Sequence, residues 1–153
     1  MTTTNFLLAL AMGAAISIYL PMIAHTARIM GAPSMGNVPF FAVAFVVSVL
    51  IAGVNGDLGS GMAKIGDVPK WLFLAGVVSA LMILISTYLI PQIGTGAFFV
   101  LLVAGQIIVG AIINQFGLLG VPAQPTSFIK LSGTIFVLGG AILVSFGDQL
   151  MGR

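Results

Sequence analysis

Apolar residues fall into five runs, at 5–30, 36–54, 70–90, 94–115 and 127–147, and the polar residues collect between them. Each run is close to the ~17–25 residues a helix needs to cross a bilayer. The pattern predicts an all-α membrane protein with five transmembrane helices, folded as a single transmembrane domain over 1–153. The connections are short. Gly31-Ala32-Pro33-Ser34-Met35-Gly36 reads as a turn, because glycine and proline punctuate a helical pattern. A polar loop spans 55–69 and is the only sizeable hydrophilic stretch. Pro91-Gln92-Ile93 leaves so little chain between the third and fourth runs that these must form an antiparallel hairpin. Pro122 and Pro125 mark the last connection.

Composition moves this reading from soluble core helices to membrane spans. Apolar residues make up 59% of the chain, charged residues 5%, and the mean hydropathy is +1.23. A soluble domain of 153 residues has no use for so much apolar surface, so lipid is the solvent for most of it. The 20 glycines, many inside the runs, fit the same picture, since membrane helices use glycine for close backbone approach. The chain contains no cysteine, which removes disulfides and thiolate metal sites. Residues 1–5 carry no Lys or Arg, so the first run reads as a retained helix rather than a cleaved signal peptide.

Charge decides orientation, and here it is nearly balanced. If all five runs span, Lys64, Lys70 and Lys130 lie on the side of the amino terminus, and Arg28 and Arg153 on the other. Lys and Arg near span ends set topology, so three against two is a weak orienting signal. It is compatible with insertion in both directions and with pairing to an inverted copy. The net charge of +2 forms no basic patch, which excludes nucleic acid as a partner.

The candidate chemistry is sparse. Gln106 lies near the middle of the fourth run, where an amide facing lipid would leave hydrogen-bonding groups unpaired. Gly110 and Asn114 follow at i+4 and i+8 and remain within about 80° of it on one helix face, with Gly105 beside the stripe. Two readings compete: an amide-lined wall of a substrate cavity, or a hydrogen bond to a neighbouring helix with glycines serving close packing. Ser17, Pro21 and His25 step by four along the first run, with Arg28 beyond. Pro21 removes a hydrogen bond to the Ser17 carbonyl and permits a bend. Histidine changes charge near neutral pH and can carry a proton, or it can be an interfacial side chain. Arg28 either positions an anionic group or a gate, or snorkels to headgroups. Ser79 and Ser86 share a face of the third run, where hydroxyls commonly bond the carbonyl four residues back.

Absences narrow the class. The chain has no Glu, and Asp57, Asp67 and Asp148 all lie outside the apolar runs. A carboxylate at mid-membrane, a common proton-coupling device, is missing. One His and three Asp assemble no catalytic set, metal centre or phosphate loop, so we expect no enzyme, no metal and no cofactor.

The stretch from Val103 through Gly105-Gln106, Gly110 and Asn114-Gln115-Phe116-Gly117-Leu118-Leu119-Gly120 resembles the fourth helix of the YdcZ branch of the drug/metabolite transporter (EamA-like) superfamily. Thr26-Ala27-Arg28-Ile29 with Gly31-Ala32-Pro33 is similar to that branch's end of helix one. Trp71, Ile90-Pro91-Gln92-Ile93-Gly94 and Lys130-Leu131-Ser132-Gly133 extend the likeness over nearly the whole chain. The resemblance implies a five-helix inner-membrane half-unit of a ten-helix transporter fold, paired as a homodimer or heterodimer with an inverted five-helix chain. Many members carry Asn where this chain has Thr26, and Asp where it has Asn114; the second difference removes an ionisable group. The expectation is a secondary transporter or exporter of small organic metabolites or drugs, with Gln106, Asn114, Ser17 and Gly110 contacting substrate. His25 would offer proton linkage, and Pro21, Gly105 and Arg28 would serve gating or packing. The alternative is a passive channel, or a membrane subunit that is inert without a partner chain.

Overall fold

The computed structural model describes residues 2–150, with the backbone alone for 148–150, so Arg153 and the Asp148 side chain lie outside the described residues. Five of its helices are long and apolar enough to cross a membrane. The chain divides into two compact units, 1–92 and 93–153.

The first unit begins with α1 (Thr3–Ile29), whose start is capped by Thr2: its hydroxyl accepts from the Asn5 N–H at 3.3 Å. α1 runs through Pro21 without interruption. It ends where Gly31 takes φ +78, a conformation glycine adopts at no steric cost. A 3-10 turn over Pro33–Gly36 then leads into α2 (Asn37–Val54). Gly36 makes this reversal possible. A Cβ there would sit 2.9 Å from both the Ala27 Cβ and the Ile23 carbonyl oxygen, so only a bare backbone lets the turn close onto α1.

The connection expected as a polar loop at 55–69 is largely folded. It holds α3 (Leu58–Ala63) and a 3-10 turn over Ile65–Asp67, followed by another at Lys70–Phe73. Its Asn, Gly, Asp and Ser residues are interleaved with Leu58, Met62, Ile65 and Val68, which recur at steps of three and four and stand exposed. That spacing suits helical turns at a membrane surface. α4 (Leu74–Ile93) completes the unit. It continues through Pro91 to Ile93 and ends at Gly94, with φ +79. The expected three-residue connection is therefore helical: proline near a helix end removes one bond, whereas the positive φ of glycine ends the ladder.

The second unit packs α5 (Thr95–Phe116) against α6 (Phe128–Leu150). α5 stops at Gly117, φ +63, in the left-handed conformation. The segment after it is tied back to the end of α5. The Gln124 N–H donates to the Asn114 carbonyl at 2.8 Å, and the Thr126 N–H to the Gln115 Oε1 at 2.9 Å. The Ser127 hydroxyl then accepts from the Lys130 N–H as α6 begins.

Buried side chains are few. In the first unit they are Leu20, Ile23, Ala24 and Ala27 of α1 and Ile83, Ser86, Thr87 and Ile90 of α4; α2 buries none. In the second they are Phe98, Ala104 and Ala141. Large apolar residues such as Phe45, Val54, Phe128 and Phe136 stand exposed at 71% or more, an arrangement that water penalises and lipid does not.

Candidate functional site

Two groups of side chains carry the available polarity, one in each unit. In the second unit Gln106 sits at the midpoint of α5. Its side chain is exposed, and its amide makes no hydrogen bond among the described residues. Ala104, two positions earlier, is buried; at 100° per residue the two point about 160° apart, so Gln106 occupies the outward side of the helix. Gly105 is exposed and Gly110 half-buried, and a Cβ added to either would meet nothing within 4 Å. These glycines therefore do not serve packing inside the unit; they leave bare backbone on either side of the amide. Asn114 is exposed, and its backbone carbonyl, rather than its side chain, holds the following segment through Gln124.

In the first unit Ser17, Pro21, His25 and Arg28 lie along α1 as their spacing requires. Ser17 is exposed and its hydroxyl is already satisfied, donating to the Gly13 carbonyl at 3.1 Å. Pro21 is half-buried, and His25 and Arg28 are exposed. Arg28 borders a cavity of about 290 Å³ with Ala24, Ala27, Gly31, Ala32 and Thr87.

Two features escape the sequence pattern. Tyr19 of α1 stacks on Phe40 of α2, centroids 5.6 Å apart and planes 11° from parallel. This pair lines an apolar groove of about 410 Å³ with Met22, Thr26, Val43 and Val47. Asn37, at the start of α2, donates to the Ala80 carbonyl of α4 at 2.8 Å, while its Oδ1 is buried without a partner. Ser86 is buried and donates to the Met82 carbonyl four residues back, as the third run's pattern expects, and buried Thr87 donates to the Leu84 carbonyl, both at 2.7 Å. The one signal available for Asn37 was its amide at the mouth of an apolar run. Nothing in the pattern points from it to Ala80.

This set of groups offers hydrogen bonding and apolar contact. Among the described residues no cluster of His, Cys, Asp or Glu is suited to a metal ion. Comparison with known families supplies the class. The family described as "Putative inner membrane exporter, YdcZ" matches residues 4–143. The chain belongs to this family. The YdcZ match begins inside α1 and ends inside α6, so it contains the middle three spans and most of the first and last. With those spans it makes this chain a multi-pass inner-membrane protein. No curated protein and no solved structure matches it.

Proposed function

We propose that this YdcZ-family chain is a secondary transporter that exports small organic metabolites or drugs by alternating access, as an inverted dimer. The observation that supports this most is the face of α5: an unbonded amide at mid-span, flanked by glycines that leave open space. An amide exposed at the bilayer centre is costly unless something bonds it, and a solute passing through a wet cavity does so. Gln106 is the proposed substrate contact, with Asn114 and Gly110 beside it on the second unit, and Ser17 is a separate proposed contact on the first. The spans hold no carboxylate to pair with a cation, and Gln106, Asn114 and Ser17 are neutral, so the proposed site recognises its substrate by hydrogen bonds rather than by charge. His25 is the chain's one histidine and the candidate for proton linkage. Pro21 leaves α1 one backbone bond short, a place for it to flex. Arg28 stands beside a cavity at the end of α1, suited to a gate.

The test is release from proteoliposomes loaded with a mixture of small metabolites, read by mass spectrometry under an imposed pH gradient. The expected result is selective depletion of some compounds, lost in Gln106→Ala. Depletion unchanged by Gln106→Ala removes Gln106 from the site. Steady current in planar bilayers without any gradient of solute or proton would replace the transporter with a channel.

A further inference from the structure

We infer that Gln106 pairs with its own symmetry mate: the amide of one subunit bonds Gln106 of the partner subunit at the centre of the bilayer. This rests on the inverted-dimer reading above and deepens it. Two antiparallel copies related by a two-fold axis in the membrane plane can bring a residue onto its own mate only where that residue lies at mid-depth. α5 spans Thr95–Phe116, and Gln106 is at its midpoint. The side chain is exposed and unbonded in its own unit and faces away from the buried Ala104. A primary amide is self-complementary: each N–H₂ donates to the other's carbonyl, and both bonds close at once. Gly105 and Gly110 carry no Cβ and meet nothing within 4 Å, which lets a second backbone approach as small residues do between membrane helices. Asn114 cannot do the same in this arrangement. It lies eight residues along, about 12 Å from the centre, so it and its mate are about 24 Å apart.

The pair has a consequence for transport. Closed, it gives each amide one donated and one accepted bond and blocks the path at mid-membrane. An uncharged solute with a donor and an acceptor replaces it by bonding both amides together. The substrate class is therefore a neutral amide-like or hydroxyl-bearing molecule, and one site is shared by two subunits.

The chain has no cysteine of its own, so single-cysteine variants report cleanly in native membranes. With a short bifunctional maleimide, Gln106→Cys is expected to shift from the monomer to the linked dimer, because the paired amides hold the two Cβ atoms beyond the reach of a disulfide but within the span of the reagent. Asn114→Cys should stay monomeric. A second pair leaves Gln106 intact: Leu102→Cys and Gly110→Cys, equidistant from the centre, should link to each other when co-expressed and neither to itself. Absence of both links, with dimers still captured by an amine cross-linker, overturns the amide pair and leaves the inverted transporter standing. Self-linking of Asn114→Cys signals a parallel pair and overturns both. A chain that no cross-linker captures as a dimer overturns both as well.

Discussion

The side-chain amide of Asn37 donates to the backbone carbonyl of Ala80 at 2.8 Å, joining the first residue of α2 to α4 across 43 positions of sequence. Within the first unit this is the one side-chain hydrogen bond, among the described residues, that links two spans. Interhelical bonds of this kind contribute about 1 kcal/mol. The Asn37 Oδ1 is buried without a partner, which offsets part of that. We therefore expect Asn37→Ala to lower the midpoint of thermal unfolding in detergent by a small amount. Asn37→Asp, which keeps the shape but loses the donor and brings a charge, should lower it further. An Asn37→Ala midpoint at or above the parent value would show that the bond adds nothing net.

Gly36 gives the sharper stability test. A methyl at this position collides at 2.9 Å with the Ala27 Cβ and the Ile23 carbonyl, and the latter is backbone that cannot rotate away. Overpacking of this kind costs about 1–3 kcal/mol. Gly36→Ala should reduce the folded fraction recovered by size exclusion, whereas Gly13→Ala, whose Cβ meets nothing within 4 Å, should not. Equal recovery of the two variants would mean that the turn onto α1 is looser than its geometry.

The difference between these residues and the five spans shows what the amino-acid order carries. Spans are legible because their length and apolarity answer to lipid thickness, a constraint acting on each run alone. Gln106 is legible for the same reason: an amide is anomalous within an apolar run whatever surrounds it. Gly36 against Ala27, Asn37 on Ala80 and Tyr19 stacked on Phe40 are contacts between elements. In lipid both faces of a helix are apolar, so no hydrophobic stripe marks which side meets a neighbour. α3 was hidden differently. The glycines and acids around Leu58 and Met62 give a loop-like composition, and the apolar steps show only once the backbone is seen to turn there. The roles of Asn114 and Gln115 diverge likewise, since the fold uses the carbonyl of one and the side chain of the other to hold the segment after α5.

That last contact predicts a local effect. Gln115 Oε1 accepts from the Thr126 N–H at 2.9 Å, at an exposed site, where one hydrogen bond contributes about 0.5–1.5 kcal/mol. Gln115→Leu should loosen the segment between α5 and α6 without unfolding either helix. The expected readout is faster chymotrypsin cleavage at Leu118 and Leu119, with helix content by circular dichroism unchanged. Gln124→Leu, which removes a side chain but keeps the N–H that bonds Asn114, should cleave at the parental rate.

Orientation in the membrane should respond to very few charges. Lys64 follows α3 and Lys70 opens the next turn, so both lie in the one segment that joins α2 to α4. If the spans alternate, this segment supplies two of the three positive charges on the side of the amino terminus, with Lys130, against Arg28 and Arg153 opposite. Neutralising Lys64 leaves two against two, and neutralising Lys64 and Lys70 together leaves one against two. Because Lys and Arg close to span ends set topology while acidic residues contribute little, Asp57 and Asp67 in the same segment do not cancel them. Lys64→Gln should even out the two orientations, and Lys64→Gln with Lys70→Gln should favour the inverse of the parental bias. A single cysteine added at either terminus, probed on intact cells with a membrane-impermeant thiol reagent, measures the fraction facing each side. A distribution that stays fixed through both substitutions would place the orienting signal elsewhere. A parent chain found wholly in one orientation would exclude the inverted homodimer and leave an inverted sister chain as its partner.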